Sequence, residues 1–227
     1  MRTKIMSMAA CLSLCLWAGA EEDKRLAQAT KTLDEVMGAA DRSIPGDLFG
    51  KANCAIIIPG MKMGGFIFGG KYGRGFASCR NSAGGWSAPS AMRLENMTFG
   101  LQIGGSEVDI VMLVMSKKGM DRLLSTKFTM GADATGAAGP VGRSTTAQTD
   151  AALTADILSW SRARGVFGGI TLTGGTMRPD GEANKGLYAG KEMDNREILN
   201  GKVAPPASAA SFLAALAKHG GATAANK

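Results

Sequence analysis

Apolar positions at Leu26, Leu33, Val36, Met37 and Ala40 recur at three- and four-residue spacing with charges between them, which predicts an amphipathic helix over residues 21–40. Ile44-Pro45-Gly46 ends it, and Asp47 can cap one further turn through Lys51. Short β-branched and aromatic runs follow, separated by glycines. Cys54–Ile58 reads as a buried strand with a turn from Gly60, and Phe66–Phe68 and Gly75–Cys79 read as further strands. Trp86–Leu94 and Gly100–Met115 continue the pattern, and Lys117–Ser125 returns to helical spacing. Residues 131–142 are too rich in Gly and Pro for regular helix. Asp156–Ser161 and Val166–Leu172 resume strand composition, and helices are expected over 191–199 and 208–218, joined through Pro205-Pro206. Strands cluster in the middle, helices stand at both ends, and no βαβ alternation occurs. The expected class is α+β, with a largely antiparallel sheet or barrel-like core flanked by helices.

Residues 1–20 follow another logic. Arg2 and Lys4 precede an apolar run from Ile5 to Trp17, and Ala18-Gly19-Ala20 precedes Glu21-Glu22-Asp23. That layout predicts a secretory signal cleaved after Ala20, because about 13 apolar residues fall short of the roughly 20 that span a bilayer. The expected organisation is a signal peptide at 1–20, a domain at 21–190 and a helical tail at 191–227. The product is expected to be periplasmic or secreted, soluble or held peripherally on a membrane.

The chain carries 26 Lys and Arg against 19 Asp and Glu, a net charge of +7. Loss of Arg2 and Lys4 would leave +5, unevenly spread: residues 21–47 sum to −3, residues 48–175 to +6 and residues 176–227 to +2. An anionic surface would select the basic middle and repel the acidic first helix, so that helix is expected to pack on the domain. The expected lipid-contacting residues are Lys62, Lys71, Arg74 and Arg80, near glycine turns whose amides can approach a phosphate, with Arg143, Arg162 and Arg164 around the second glycine-rich region. A solvated basic face is the competing reading. Tyr72 and Trp86 can serve as interfacial anchors or as core. Cys54 and Cys79 survive processing; an even count in an oxidising compartment predicts a disulfide, with two buried thiols as the alternative.

Enzymatic chemistry finds little support. His219 is the only histidine, which argues against Ser-His and Cys-His catalysis and against His-rich metal sites. Gly65 to Lys71 approaches a phosphate-binding loop, but Tyr72 stands where a small hydroxyl is needed and Gly73 and Gly75 oppose the following helix. Asp133-Ala134-Thr135-Gly136 has one residue too many for an aspartic-protease loop and no second copy. Glu107 and Asp109 share one side of a strand and could form an acid/base pair, although such pairs are more often solvated edge charges. No catalytic residue, cofactor, metal or nucleic-acid partner is expected.

Six blocks in order are informative together: Gly70-Lys-Tyr-Gly-Arg-Gly75, Trp86-Ser-Ala-Pro89, Phe99-Gly-Leu-Gln-Ile-Gly104, Gly131-Ala-Asp-Ala134, Gly139-Pro-Val-Gly-Arg143 and Gly165-Val-Phe-Gly-Gly169. From about Leu26 to Tyr188 the chain resembles the SYLF, or Ysc84-like, family. The resemblance implies a non-catalytic module, and several members bind acidic phospholipids. Eukaryotic members also associate with actin through a wider architecture; here no SH3 or FYVE module is present in the sequence. The reading that follows is an exported module for anionic phospholipid head groups, with a structural or protein-interaction domain of the bacterial envelope as the alternative.

Overall fold

A computed structural model describes residues 2–39, 43–64, 68–99, 105–142, 154–163 and 166–221. Helix α1 (Arg2–Gly38) is followed by α2 (Gly46–Lys51) and four long strands: β1 (Cys54–Gly64), β2 (Phe68–Cys79), β3 (Ser90–Phe99) and β4 (Gly105–Val114). Then come α3 (Lys117–Leu123), β5 (Phe128–Thr129), β6 (Gly136–Ala138), β7 (Ile157–Ala163), β8 (Val166–Gly169) and β9 (Thr176–Pro179). The chain closes with α4 (Gly181–Leu187), α5 (Asn195–Leu199), a 3-10 turn (Ala207–Ala209) and α6 (Ala210–Gly220).

Among the described residues the strands form one nine-stranded sheet in the order β5-β9-β3-β2-β1-β4-β7-β6, with β8 also on β7. The pairings between these strands are antiparallel except β6 with β7. The order forces the sheet to roll. Eight flat strands would span about 34 Å from β5 to β6, yet the seven residues from Thr129 to Gly136 reach at most about 25 Å fully extended. Part of that link is itself a turn, with Met130 bridging Ala134. The result is a half-barrel, and the expected α+β class with an antiparallel, barrel-like core and helices at both ends describes it.

Two apolar layers follow from the alternation of side chains along each strand. Inside the curl pack Ile56, Ile58, Met61, Met92, Leu94, Ile110, Met112, Phe128, Met130 and Met177, with Leu123, Leu124 and Leu199 from α3 and α5 in the same cluster. Outside, Ile57, Phe76, Val111, Leu158 and Trp160 face the helices. Leu26, Ala29, Leu33 and Val36 form the stripe by which α1 seals that outer face, each at most 1% exposed. Phe212 and Leu216 of α6 join the same cluster.

Several boundaries differ from the sequence reading. The expected turn at Gly60 is instead a register shift inside one continuous strand, β1, between Ile58 and Met61 on the β4 side. Pro59, which has no amide hydrogen to give to a ladder, sits at that bulge, one of the few places a central strand accepts proline. The strand expected over Gly75–Cys79 begins earlier, at Phe68, as β2, because its glycines permit close packing against β1: a β-carbon on Gly75 would stand 2.0 Å from the Ile57 carbonyl oxygen. Phe66 and Ile67 of the other expected strand lie outside the described residues. Trp86 lies outside β3, in an isolated bridge with Arg80. Helix α4 was not anticipated; Asp180 caps it by accepting from the Ala183 amide.

Candidate functional site

The strand register lays out the outer face beyond α1 as rows of side chains. In one row Arg178, Arg93 and Arg74 are consecutive cross-strand partners on β9, β3 and β2. In the next, towards the rim where β1 ends at Gly64 opposite Gly105, Thr176, Glu95, Tyr72, Lys62 and Glu107 are consecutive partners across β9, β3, β2, β1 and β4.

Arg74 is anchored by two acids. Its Nε donates to Asp180 Oδ2 at 2.6 Å and its Nη2 to Glu22 Oε1 at 3.2 Å, and both carboxylates are about 95% buried. Burial opposes the charge on Arg74, but the hydrogen bond to Asp180 and the field of Glu22 raise its pKa above the ordinary value. Arg25 adds a second ion pair to Glu22.

Arg162 makes the matching contact near the C-terminal end of α1. Its Nε and Nη2 donate to Asp109 Oδ2 at 3.0 and 2.6 Å, and its Nη1 donates to Glu35. Burial works against this guanidinium too, and the two carboxylates raise its pKa. Asp109 is further committed through Oδ1, which accepts from the Gly60 amide at 2.9 Å. Glu22 and Glu35 are thirteen residues apart on α1, about 20 Å along the helix. The helix is therefore stapled to the sheet by its own acids near its middle and near its C-terminal end, and Asp34 adds a contact of 2.7 Å to His219 Nε2 on α6.

Arg80 serves the backbone. Its Nη1 donates to Gly221 O and its Nη2 to Gly220 O, both at 2.7 Å, with Gly50 O at 3.3 Å. The guanidinium carbon lies 4.3 Å from the Trp86 ring centre, and burial lowers its pKa. It thus satisfies carbonyls at the C-terminal ends of α2 and α6 at once, where cations are favoured. Trp86 itself is buried core.

Lys62 and Lys71 remain. Lys62 is exposed on the outer face between Tyr72 and Glu107, whereas Lys71 is half-buried on the opposite face, lining a small cavity of about 10 Å³ with Met61, Leu94 and Leu172. Neither forms an ion pair among the described residues. Arg143 and Arg164 lie outside the described residues. Among the described residues, the expected lipid contacts Lys62, Lys71, Arg74, Arg80 and Arg162 are thus not brought onto one surface, and Arg93, Arg178 and Glu95 join the outer face through the β3–β9 pairing, which has no local signal in the sequence.

Cys54 and Cys79 are register partners at the β1 start and β2 end, joined as a disulfide within the inner cluster with α-carbons 3.9 Å apart. Among the described residues no three His, Cys, Asp or Glu side chains group as metal ligands, and no helix is long and apolar enough to cross a membrane.

The glycines of the sequence blocks are packing positions. A β-carbon on Gly139 would stand 2.0 Å from the Trp160 ring, and one on Gly169 would stand 2.3 Å from the Gly139 carbonyl oxygen. A helix-sealed half-barrel built on such close approaches is the class of domain these blocks specify. The chain belongs to the SYLF, or Ysc84-like, family: residues 95–219 match the family model described as "Ysc84: Las17-binding protein actin regulator".

An SH3 domain-containing protein of Schizosaccharomyces pombe is 34% identical over 173 residues, covering 75% of this chain and 40% of the relative. LAS seventeen-binding protein 3 of Saccharomyces cerevisiae is 31% identical over 176 residues (76% and 38%). SH3 domain-containing YSC84-like protein 1 of Rattus norvegicus is 28% identical over 191 residues (83% and 56%). The chain spans about two fifths of the length of the fungal relatives.

Proposed function

We propose that the chain is a non-catalytic interaction module that docks a protein partner on the outer-face strip Glu95, Tyr72, Lys62 and Glu107. The observation that carries this reading is the alternation across four neighbouring strands: an acid, an aromatic ring 45% exposed, a base and an acid. A mixed strip with an exposed tyrosine suits a protein surface of complementary charge, whereas an anionic bilayer would repel Glu107. The names of the yeast relative and of the family, which refer to Las17 binding, support a protein ligand as a class and do not supply this chain's partner. In the exported form expected from residues 1–20, that partner belongs to the envelope.

The test is a photo-crosslinker placed at position 72 in cells. A discrete protein adduct that disappears with Lys62→Glu and is absent from a crosslinker at exposed Lys202 is expected; adducts to lipid alone would overturn the reading.

Recognition of anionic lipid head groups is the second reading. What favours it is that Lys62 and Lys71, near the same rim, form no ion pair among the described residues. Each lysine near an anionic surface contributes about 1 kcal/mol. Lys62→Glu/Lys71→Glu should then weaken sedimentation with phosphatidylglycerol vesicles by about tenfold or more, while Arg74 is left untouched to preserve the fold. Equal binding by the parent and the double variant removes this reading.

A further inference from the structure

An open cleft of about 600 Å³ lies where the turn after α3, the end of β9 and the start of α5 meet. Its lining combines apolar Leu124 and Pro179 with the hydroxyl residues Ser125 and Thr126 and with two opposite charges, Asp194 and Arg196. The two charged residues stand two apart at the start of α5, a spacing at which helical side chains do not face each other. Neither forms an ion pair among the described residues. Asp194 spends only Oδ1, which accepts from the Arg196 and Glu197 amides at 2.7 and 3.3 Å. Arg196 reaches the Leu124 carbonyl oxygen from Nη2 only at 3.5 Å, the outer limit of a hydrogen bond. One carboxylate oxygen and nearly the whole guanidinium fork are therefore left to face a ligand. The side chains, not the helix amides, are what the cleft offers, because Asp194 already takes the amides at the start of α5. The frame beneath is fixed in advance. Asn195, buried on the same lining, donates to the Leu123 carbonyl oxygen at 3.0 Å and accepts from Ser90 Oγ at 2.7 Å, which ties α5 to the end of α3 and to β3.

We propose that this cleft binds a short peptide with both termini free, its ammonium group on Asp194 and its carboxylate on Arg196. Opposite charges that share a cleft without neutralising each other are complementary to a ligand that carries the reverse pair. The guanidinium fork takes a carboxylate through two parallel hydrogen bonds, and Asp194 Oδ2 accepts from the ammonium. A lone anion would satisfy Arg196 and be repelled by Asp194; a lone cation would do the reverse. The volume falls within the roughly 300–1,000 Å³ of sites for drug-sized ligands, which suits a peptide of about two to four residues. Between its termini such a ligand has amides to donate. Ser125 Oγ, whose single hydrogen serves the Arg122 or the Lys127 carbonyl, keeps its lone pairs for them. Small apolar side chains rest against Leu124 and Pro179. The cleft shares no residue with the Tyr72–Lys62 strip, so it stands or falls apart from the proposed docking function.

The experiment titrates the full chain with trialanine, N-acetyl-trialanine, trialanine amide and free alanine, reading calorimetric heats and the arginine Nε–H resonances. Trialanine should displace the Arg196 resonance saturably and by more than that of exposed Arg122. Blocking either terminus should weaken binding by about tenfold, the scale of one charge-assisted hydrogen bond. Asp194→Asn keeps a side-chain oxygen for the cap and so preserves the fold. It should weaken trialanine by about tenfold and leave N-acetyl-trialanine unchanged, because the variant and the acetyl group remove the same contact. Arg196→Gln should do likewise for trialanine and its amide. The comparison of free and blocked peptides on the parent needs no variant, so a poorly folding variant leaves the test intact. Absence of saturable trialanine binding, equal affinity for free and blocked peptides, or alanine binding as tightly as trialanine overturns the proposal.

Discussion

Arg74 donates to Asp180 at 2.6 Å across 106 positions of sequence, tying the middle of β2 to the cap of α4. With Glu22 as its second partner it fixes α1 in place as well. Removing one member of a buried ion pair leaves the others uncompensated, at about 3–5 kcal/mol. Arg74 is 25% exposed, so the lower end applies. Arg74→Ala should lower unfolding free energy by about 2–3 kcal/mol in urea titration, whereas Lys71→Ala should change it by under about 0.5 kcal/mol.

Arg80 accounts for three carbonyls at two helix ends. Arg80→Ala should cost about 2–3 kcal/mol, the scale of hydrogen bonds from a charged donor that leave buried acceptors behind. Arg80→Lys should recover less than half, because one ammonium cannot reproduce a planar fork stacked on Trp86. Urea denaturation of the two variants checks this.

The disulfide closes a sequence separation of 25 residues. By the chain-entropy estimate it contributes about 3 kcal/mol. Denaturing, non-reducing thiol titration of the chain from Glu21 onward should find no free thiol, and reduction should lower the urea midpoint. Two free thiols in that form would contradict the bond.

Asp156 gives the acid limb of stability. Burial pushes its pKa up, but hydrogen bonds from Ser116 and from the amide and hydroxyl of Thr135, with Lys118 nearby, bring it down to about 2. Its folded pKa lies below the unfolded value of 3.8. The contribution, about 2 kcal/mol, is therefore complete above roughly pH 4 and is lost as pH falls towards 2. Asp156→Asn should flatten the stability profile between those pH values, as followed by circular dichroism.

Cleavage after Ala20 would make Glu21, Glu22 and Asp23 the first turn of α1, where acids are favoured by the helix dipole. The Glu22 contacts to Arg25 and Arg74 would survive. Intact mass of protein recovered from the envelope should correspond to a chain starting at Glu21; a mass that retains residues 1–20 would refute processing there.

What the sequence alone determined was local and periodic. The 3.6-residue stripe of α1, the β-branched runs of β1 and β4, and the glycine blocks that carry the family resemblance are all legible because each depends on near neighbours or on the ordered blocks themselves. The opposed charges of residues 21–47 and 48–175 were legible too, but not their meaning. Charge counts carry no distances, so the basic middle read as a surface waiting for an anion, while Arg74 and Arg162 each take one counter-ion from α1 and a second, Asp180 or Asp109, from another distant segment. Only the tertiary structure decided that, because Coulomb pairing selects on ångström separations between segments far apart in the chain. The row of Arg178, Arg93 and Arg74 has the same origin: three arginines that are strangers in sequence become neighbours because antiparallel register places them about 5 Å apart.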